Sequence, residues 1–356
     1  MVCETLALDV PKIYLLDGLQ YNGKRREETE DGGTDVPRID GRRRPAVSGG
    51  ATRRAALFGG FCLCCLPRLG LAAESLSMDE VAPGIFIRRG PDAEATPANA
   101  DGIANIGFIV GRDGVLVTES GGSLTDGQWL RAEIAKRTDK PIRFVMLTHV
   151  HPDHVFGAAA FRGDNPTFVG HAALRGALDA RGAFYRQRLA EILGEDKAGE
   201  VVYPTMEVKD RAEIDLGGRV LRLTAHGSAH TSCDLSMLDT GSGLLFPADL
   251  LFVGRIPSLD GSLRGWLGEI ERLKGMGAAK AVPGHGPTLV DVAPAFADLT
   301  RYLSALRDET RKAVADSVPI ESAVRTVAQG EKDRWALFDT YNGRNVTQAY
   351  QELEWE

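Results

Sequence analysis

The chain predicts a mixed α/β (α+β) fold in which two sheets pack face to face with helices outside. Three observations carry that expectation. The 356 residues are 43% hydrophobic and 26% charged, the balance of a globular protein with ample length for a large core. Short apolar runs with strand character and a segment with helical spacing occupy residues 84–147 in the order strand, helix, strand. The same mixture returns between residues 220 and 316, and strands interleaved with helices in both halves suit a layered sandwich.

Each element has its own signal. GIFIRR at 84–89 reads as a strand, and NIGFIVGRDGVLVTES at 105–120 reads as a hairpin whose turn is Asp113-Gly114. In DGQWLRAEIAKRTDK at 126–140, Trp129, Leu130, Ile134 and Ala135 share one helical face. PIRFVMLTHVHPDH follows as a buried strand running into polar residues. VLRLTAHGSAHT, the hairpin-like DLSMLDTGSGLLFPADLLF and KAVPGHG each read as a strand that ends in a loop, and helical segments are expected at 171–194 and 294–316.

Residues 1–50 are rich in charge and glycine, including Lys24-Arg25-Arg26-Glu27-Glu28 and Arg42-Arg43-Arg44, and are expected to be disordered. Residues 51–73 read as a signal peptide: Arg53-Arg54 precede an apolar run that closes on Ala72 and Ala73, which suggests twin-arginine export to the periplasm. Because such a signal normally lies at the start of a chain, translation is expected to begin downstream, near Val47. The competing reading, a short buried helix, is disfavoured by Gly59, Gly60, Pro67 and Gly70. Residues 74–356, without a long linker or repeat, are expected to form one domain with C-terminal helices. Only Cys233 of the five cysteines falls in that domain, so no internal disulfide is expected there. The net charge of −7 argues against nucleic acid and anionic lipid as partners, and no stable membrane insertion is expected after signal removal.

The chemistry concentrates in LTHVHPDHVFG. After the apolar strand Phe144–Leu147 come His149, His151, Asp153 and His154, three of the chain's seven histidines within six positions. Alternate residues of an extended segment face the same way, so His149 and His151 suit one metal ion, while the turn at Pro152 frees Asp153 and His154 for a second. Imidazoles with a carboxylate suit zinc or iron better than calcium or magnesium. The bland alternative is a polar strand end whose histidines cap backbone groups, a poor account of this density.

The sequence HxHxDH at 149–154 resembles the signature of the metallo-β-lactamase superfamily. The resemblance spans roughly residues 80–290 and adds His230 in AHGSAHTSCD, Asp249 in LLFPADLLF, where Ala248 stands in place of the usual glycine, and His285 in VPGHGP. It implies a four-layer αββα sandwich with two metal ions, expected to be zinc with iron as the alternative. It assigns His149, His151 and His230 to the first ion, Asp153, His154 and His285 to the second, and Asp249 as the bridge. DGIANIGFIVG, HPDHVFGAAAF and DLLFVGRIPSLDGSLRGW are further similar to exported zinc hydrolases associated with methanol-oxidising quinoproteins and sulfur-oxidation systems, which implies a periplasmic redox protein as partner.

The expected reaction is hydrolysis of a small acyl substrate, whether thioester, ester, lactone or amide-like, by a hydroxide formed between ions about 3.5–4 Å apart. Asp153 and Asp249 are the expected catalytic carboxylates. An iron-dependent redox or sulfur enzyme on the same fold, and a non-catalytic periplasmic binding protein, are the competing readings. Phe252 stands where many zinc β-lactamases carry a lysine for the drug carboxylate, so β-lactamase activity is not expected. Cys233, His226 and His171 are read as structural. Arg255 is read as a solvated loop arginine, with reception of a substrate anion as the alternative. Tyr185 and Arg186 are read as part of an amphipathic outer helix, with a lid over the site as the alternative.

Overall fold

The computed structural model describes residues 76–356. The leader and signal expected at 1–73 lie outside the described residues. One sheet contains β1 (Asp79–Ala82), β2 (Ile85–Arg88), β3 (Ile106–Val110), β4 (Val115–Glu119), β5 (Ile142–Leu147), β6 (Thr167–His171) and β7 (Met206–Val208) in chain order. Pairing is antiparallel from β1 to β4 and parallel from β4 to β7. The second contains β8 (Arg211–Asp215), β9 (Val220–Ala225), β10 (Leu235–Asp239), β11 (Leu244–Phe252), β12 (Lys280–His285) and β13 (Val290–Asp291), also neighbours in chain order, with β11 and β12 parallel.

The expected sandwich is what the side chains build. Ile85, Ile87, Leu116 and Met146 of the first sheet meet Leu221, Leu223, Met237 and Phe246 of the second in a buried layer between the sheets. On the outer face of the first sheet, Phe108, Val145 and Leu147 pack against Leu130 and Ile134 of α1 (Leu124–Arg137) and Leu178 and Leu189 of α3 (Leu174–Leu193), a helix reached through the single-turn α2 (Pro152–Val155) and β6. After the short α4 (Glu195–Ala198), the outer face of the second sheet is covered by α5 (Leu263–Lys274), α6 (Val292–Ala315), α7 (Ile320–Thr326) and α8 (Phe338–Leu353), with Trp266, Phe296, Leu303 and Val346 packing on Leu245 and Leu251. Strands such as β5 are therefore buried on both faces and read as continuous apolar runs rather than alternating ones.

Element ends differ from the sequence expectations for local reasons. α1 starts two residues early because Ser123 accepts a hydrogen bond from the Asp126 amide at 3.2 Å, and it stops before Thr138, whose backbone is extended. His171 is not helical: it closes β6 and pairs with Val208 of β7, a partner 37 positions away that local spacing cannot reveal. Among the described residues no helix is long and apolar enough to cross a membrane.

Candidate metal centre

Four strands deliver the site residues, all toward the carboxyl ends of β5, β9, β11 and β12. β5 runs into Thr148, a bend at His149 and Val150 follows, and the backbone is extended again at His151. Pro152 then occupies the first position of α2, where its fixed φ suits helix entry, and Asp153 and His154 sit on that turn. His230 lies in the β9–β10 loop, braced where the Thr231 amide and hydroxyl donate to Asp234 and the His226 amide donates to the Asp234 carbonyl. Asp249 lies within β11 just after Ala248, whose φ is +49°. The pairing of β11 with β12 shifts register on both sides of Ala248, so this left-handed residue re-aims the strand and turns Asp249 into the site. The substitution of alanine for the family's glycine thus falls where glycine is conformationally favoured.

The structure brings all seven predicted ligands together in two adjoining groups. His149, His151, His230 and Asp249 form one, and Asp153, His154 and His285 the other, with the donor atoms of each group within 4.8 Å of one another. Asp249 faces both. Its Oδ2 lies 3.4 Å from His230 Nε2, 3.7 Å from His149 Nε2 and 3.5 Å from His285 Nε2, and its Oδ1 lies 3.1 Å from His154 Nε2. Asp153 Oδ2 is 3.3 Å from His285 Nε2 and 3.6 Å from His154 Nε2.

The outward nitrogen of each imidazole faces an oxygen, and that of His285 also lies 3.1 Å from Arg255 Nη1, itself a donor. His149 Nδ1 is 3.1 Å from Thr148 Oγ1, whose own proton goes to Glu119; His151 Nε2 is 3.1 Å from Asp260 Oδ2. His154 Nδ1 is 3.2 Å from Glu119 Oε2, His230 Nδ1 is 2.6 Å from the Ser258 carbonyl, and His285 Nδ1 is 3.1 Å from the Ile103 carbonyl. If each outward nitrogen carries the proton, each inward nitrogen presents a lone pair. On that assignment His230 Nε2 and His151 Nδ1 are two acceptors 2.9 Å apart, which a cation held by both would relieve. His149 Nε2, His154 Nε2 and Asp249 Oδ1 are also buried without a hydrogen-bond partner. The donor set therefore fits metal ions, because orphaned buried polar atoms are otherwise costly.

Electrostatics agree. Burial drives His149 well below its ordinary value and His230 down to about 3, so both are neutral donors at neutral pH. Burial also opposes charge on His154, yet Asp249, Asp153 and Glu119 hold it well above its ordinary value. Three carboxylates around one imidazole are an excess of negative charge that metal ions would neutralise.

Other residues fall into place around the centre. Cys233 is buried, and burial pushes its thiol up to about 12, which suits the structural reading. His226 is structural too: Nδ1 is 2.6 Å from Glu269 Oε2 and Nε2 is 2.7 Å from Ser236 Oγ, tying α5 to the sheet. His171 Nδ1 accepts from the Ala173 amide. Phe252 stacks on the His285 ring at 5.0 Å, so no cation occupies the lysine position. Tyr185 packs against the core on α3 and Arg186 pairs with Glu195 at 2.8 Å, as an outer helix requires.

Arg255 corrects its sequence reading. It is buried, not solvated, with Nη1 3.1 Å from His285 Nδ1 and Nη2 3.3 Å from the Tyr341 hydroxyl, because α8 folds back over the loop after β11. Sequence reasoning missed Glu119, Arg181, Ser258, Asp260 and Tyr341. Asp260 pairs with both His151 and Arg181. Ser258 and Asp260 lie within the family-like run at 249–266 but carry no ligand signature there, and the signal for Glu119 is its place at the end of an apolar strand.

A two-sheet sandwich with histidine and aspartate donors gathered at its strand ends defines a class of metal-dependent hydrolases. The family profile described as Metallo-beta-lactamase superfamily matches residues 99–285, more than half of the chain, and the chain belongs to that superfamily. A stretch of 54 residues is 37% identical to the linear primary-alkylsulfatase of Pseudomonas sp. (strain ATCC 19151), covering 15% of this chain but only 10% of that protein. The structure resembles a metallo-beta-lactamase from Pontibacter korlensis with a TM-score of 0.53 at 17% identity, over 64% of this chain and 99% of that one. It also resembles the inverting sec-alkylsulfatase Pisa1 from Pseudomonas sp. with a TM-score of 0.59 at 16% identity, over 78% of this chain and 50% of that one.

Proposed function

We propose that the chain is an exported dinuclear zinc hydrolase acting on a small acyl substrate: a thioester, ester, lactone or amide-like compound. The observation that carries this reading is the pair of adjoining donor groups, with Asp249 between them and with His149 Nε2, His154 Nε2 and Asp249 Oδ1 buried without a hydrogen-bond partner. Mixed imidazole and carboxylate donors favour zinc over the hard ions that prefer oxygen alone. His149, His151 and His230 would hold one ion, Asp153, His154 and His285 the other, and Asp249 both. Bound divalent ions supply Lewis acidity and lower the pKa of water toward neutrality.

The chain's own residues do the rest. Thr148, Asp260, Glu119 and the carbonyls of Ser258 and Ile103 keep the imidazoles oriented, so little reorganisation is needed during reaction. Asp153 has the more exposed carboxylate of the pair, 13% against 4% for Asp249, and would be the group to pass a proton to the leaving atom once displaced as a ligand. The composition of residues 51–73 supports periplasmic export, where the likeness to quinoprotein-associated hydrolases favours a redox protein as partner.

A second reading, sulfate-ester hydrolysis, is favoured by the match to an alkylsulfatase over 54 residues. The test is metal analysis of protein from its native host, followed by a panel of thioesters, esters, lactones, β-lactams and alkyl sulfates with the zinc-loaded chain. Two zinc ions per chain and acyl turnover, lost by about a hundredfold or more in His149→Ala, are expected. Turnover of alkyl sulfates alone would favour the second reading, and stoichiometric iron with dioxygen-dependent turnover would overturn both.

A further inference from the structure

A cavity of about 10 Å³, room for the centre of one water molecule, lies between the two sheets directly behind the metal centre. Thr118 and Glu119, which end β4, and Asn105, just before β3, form one side of it. Phe246 and Ala248 of β11 and Val282 and Gly284 of β12 form the other. Ala248 directly precedes Asp249, Gly284 directly precedes His285, and Glu119 Oε2 is 3.2 Å from His154 Nδ1. The cavity therefore backs onto ligands of both donor groups.

The polar side chains of this lining are buried and have hydrogen-bonding capacity to spare. Glu119 meets both of its partners at Oε2, where the Thr148 hydroxyl donates at 3.1 Å and His154 Nδ1 approaches, so Oε1 has no partner among the described residues. The Asn105 amide nitrogen donates to the carbonyls of Pro283 and Gly286, while its Oδ1 accepts from the Gly90 amide and keeps one lone pair. The Thr118 hydroxyl bonds to no described residue. Two acceptors and one donor around one-water space match a water that gives its protons to Glu119 and Asn105 and accepts the proton of Thr118, the three bonds usual for a buried water. A wholly apolar void of this size would stay dry, and nothing larger than water fits.

We propose that this cavity binds one water molecule, held by Glu119, Thr118 and Asn105, and that the water fixes the carboxylate on which both donor groups lean. Glu119 Oε2 meets His154 directly, and it meets His149 through Thr148, whose Oγ1 is 3.1 Å from His149 Nδ1. A carboxylate anchored at Oε2 alone is free to pivot about that oxygen. A water that ties Oε1 to Thr118 and Asn105 stops the pivot and keeps both imidazoles aimed at their ions. Thr118 is thus a positioning residue that touches no ligand itself. The proposal rests on the donor groups holding metal and on no particular substrate.

The experiment pairs a high-resolution crystal structure of the zinc-loaded full chain with chelator competition for zinc in wild type, Thr118→Val and Thr118→Ser. Density for one water within hydrogen-bond distance of Glu119 and Thr118 is expected. Thr118→Val keeps the shape of the side chain but removes the hydroxyl, and is expected to weaken zinc binding by about tenfold, whereas Thr118→Ser, which keeps the hydroxyl, stays near wild type. Should Thr118→Val misfold, Val282→Ile carries the same comparison, because its added methyl takes the place of the water. A cavity without density, a zinc affinity that Thr118→Val leaves unchanged, or a loss that Thr118→Ser shares would each overturn the proposal. A chain that takes up no zinc yet shows the water would instead remove the metal reading, and with it the positioning role, and leave the water site standing.

Discussion

Gly284→Ala isolates the contribution of one carboxylate position to the whole centre. Gly284 lies in β12 beside β11, and a Cβ built there comes to 1.9 Å from Asp249 Oδ1 and 3.0 Å from the Asp249 amide nitrogen. Its φ is not positive, so alanine strains no dihedral, and the variant tests the placement of Asp249, with the Ala248 carbonyl carbon at 2.9 Å also having to give slightly. Restoring an ordinary carbon–oxygen separation of about 3.2 Å moves the oxygen by roughly 1.3 Å, starting from the 1.9 Å contact. That oxygen lies 3.1 Å from His154 Nε2 and belongs to the carboxylate that faces both donor groups. A misplacement of this size costs about a hundredfold in rate where catalysis depends on orientation. We expect Gly284→Ala to fold, to bind fewer than two metal ions per chain by elemental analysis, and to lose about a hundredfold in kcat. Gly268→Ala is the control, since a Cβ on that α5 glycine meets nothing within 4 Å; it should keep full activity and gain up to about 1 kcal/mol in stability. Two tightly bound ions and wild-type turnover in Gly284→Ala would show that the position of Asp249 does not govern the centre.

Two further outcomes follow from particular contacts. Asp260→Asn removes the carboxylate that faces His151 Nε2 and should weaken zinc binding by about 10–100-fold in a chelator competition, with the circular dichroism spectrum unchanged; an unaltered zinc affinity would mean that Asp260 serves only Arg181. Burial works to raise the Asp239 carboxyl, but Arg219, at 2.7 Å, and Ser242 hold it below its ordinary value. A carboxylate held low binds its proton more weakly folded than unfolded. Its stabilising contribution is therefore present above about pH 4 and is lost as the pH falls through the folded value. Urea unfolding of wild type and Arg219→Met between pH 7 and pH 3 should show a stability gap that narrows on the acid side. A gap that stayed constant would assign the effect to the Arg219 bonds with the carbonyls of Pro83 and Val110.

The strand–helix order and the first metal-binding cluster were legible in the chain because both are written locally. Apolar runs such as Phe144–Leu147 declare a strand buried on both faces, and four donor residues within six positions after it declare a site. His230, Asp249 and His285 were legible only as members of a family pattern, since each alone could be a loop or cap residue. The tertiary structure alone decided what surrounds them. Asp260 meets His151 across 109 positions, the Ile103 carbonyl meets His285 across 182, and α8 brings Tyr341 to Arg255 across 86 and so buries an arginine that its own neighbours place in solvent. Local patterns record which face of an element is apolar, because that repeats every two or 3.6 residues. They carry no record of which distant strand end will supply the acceptor for an imidazole proton, since that partner is chosen only when the sheets stack and the loops close over them.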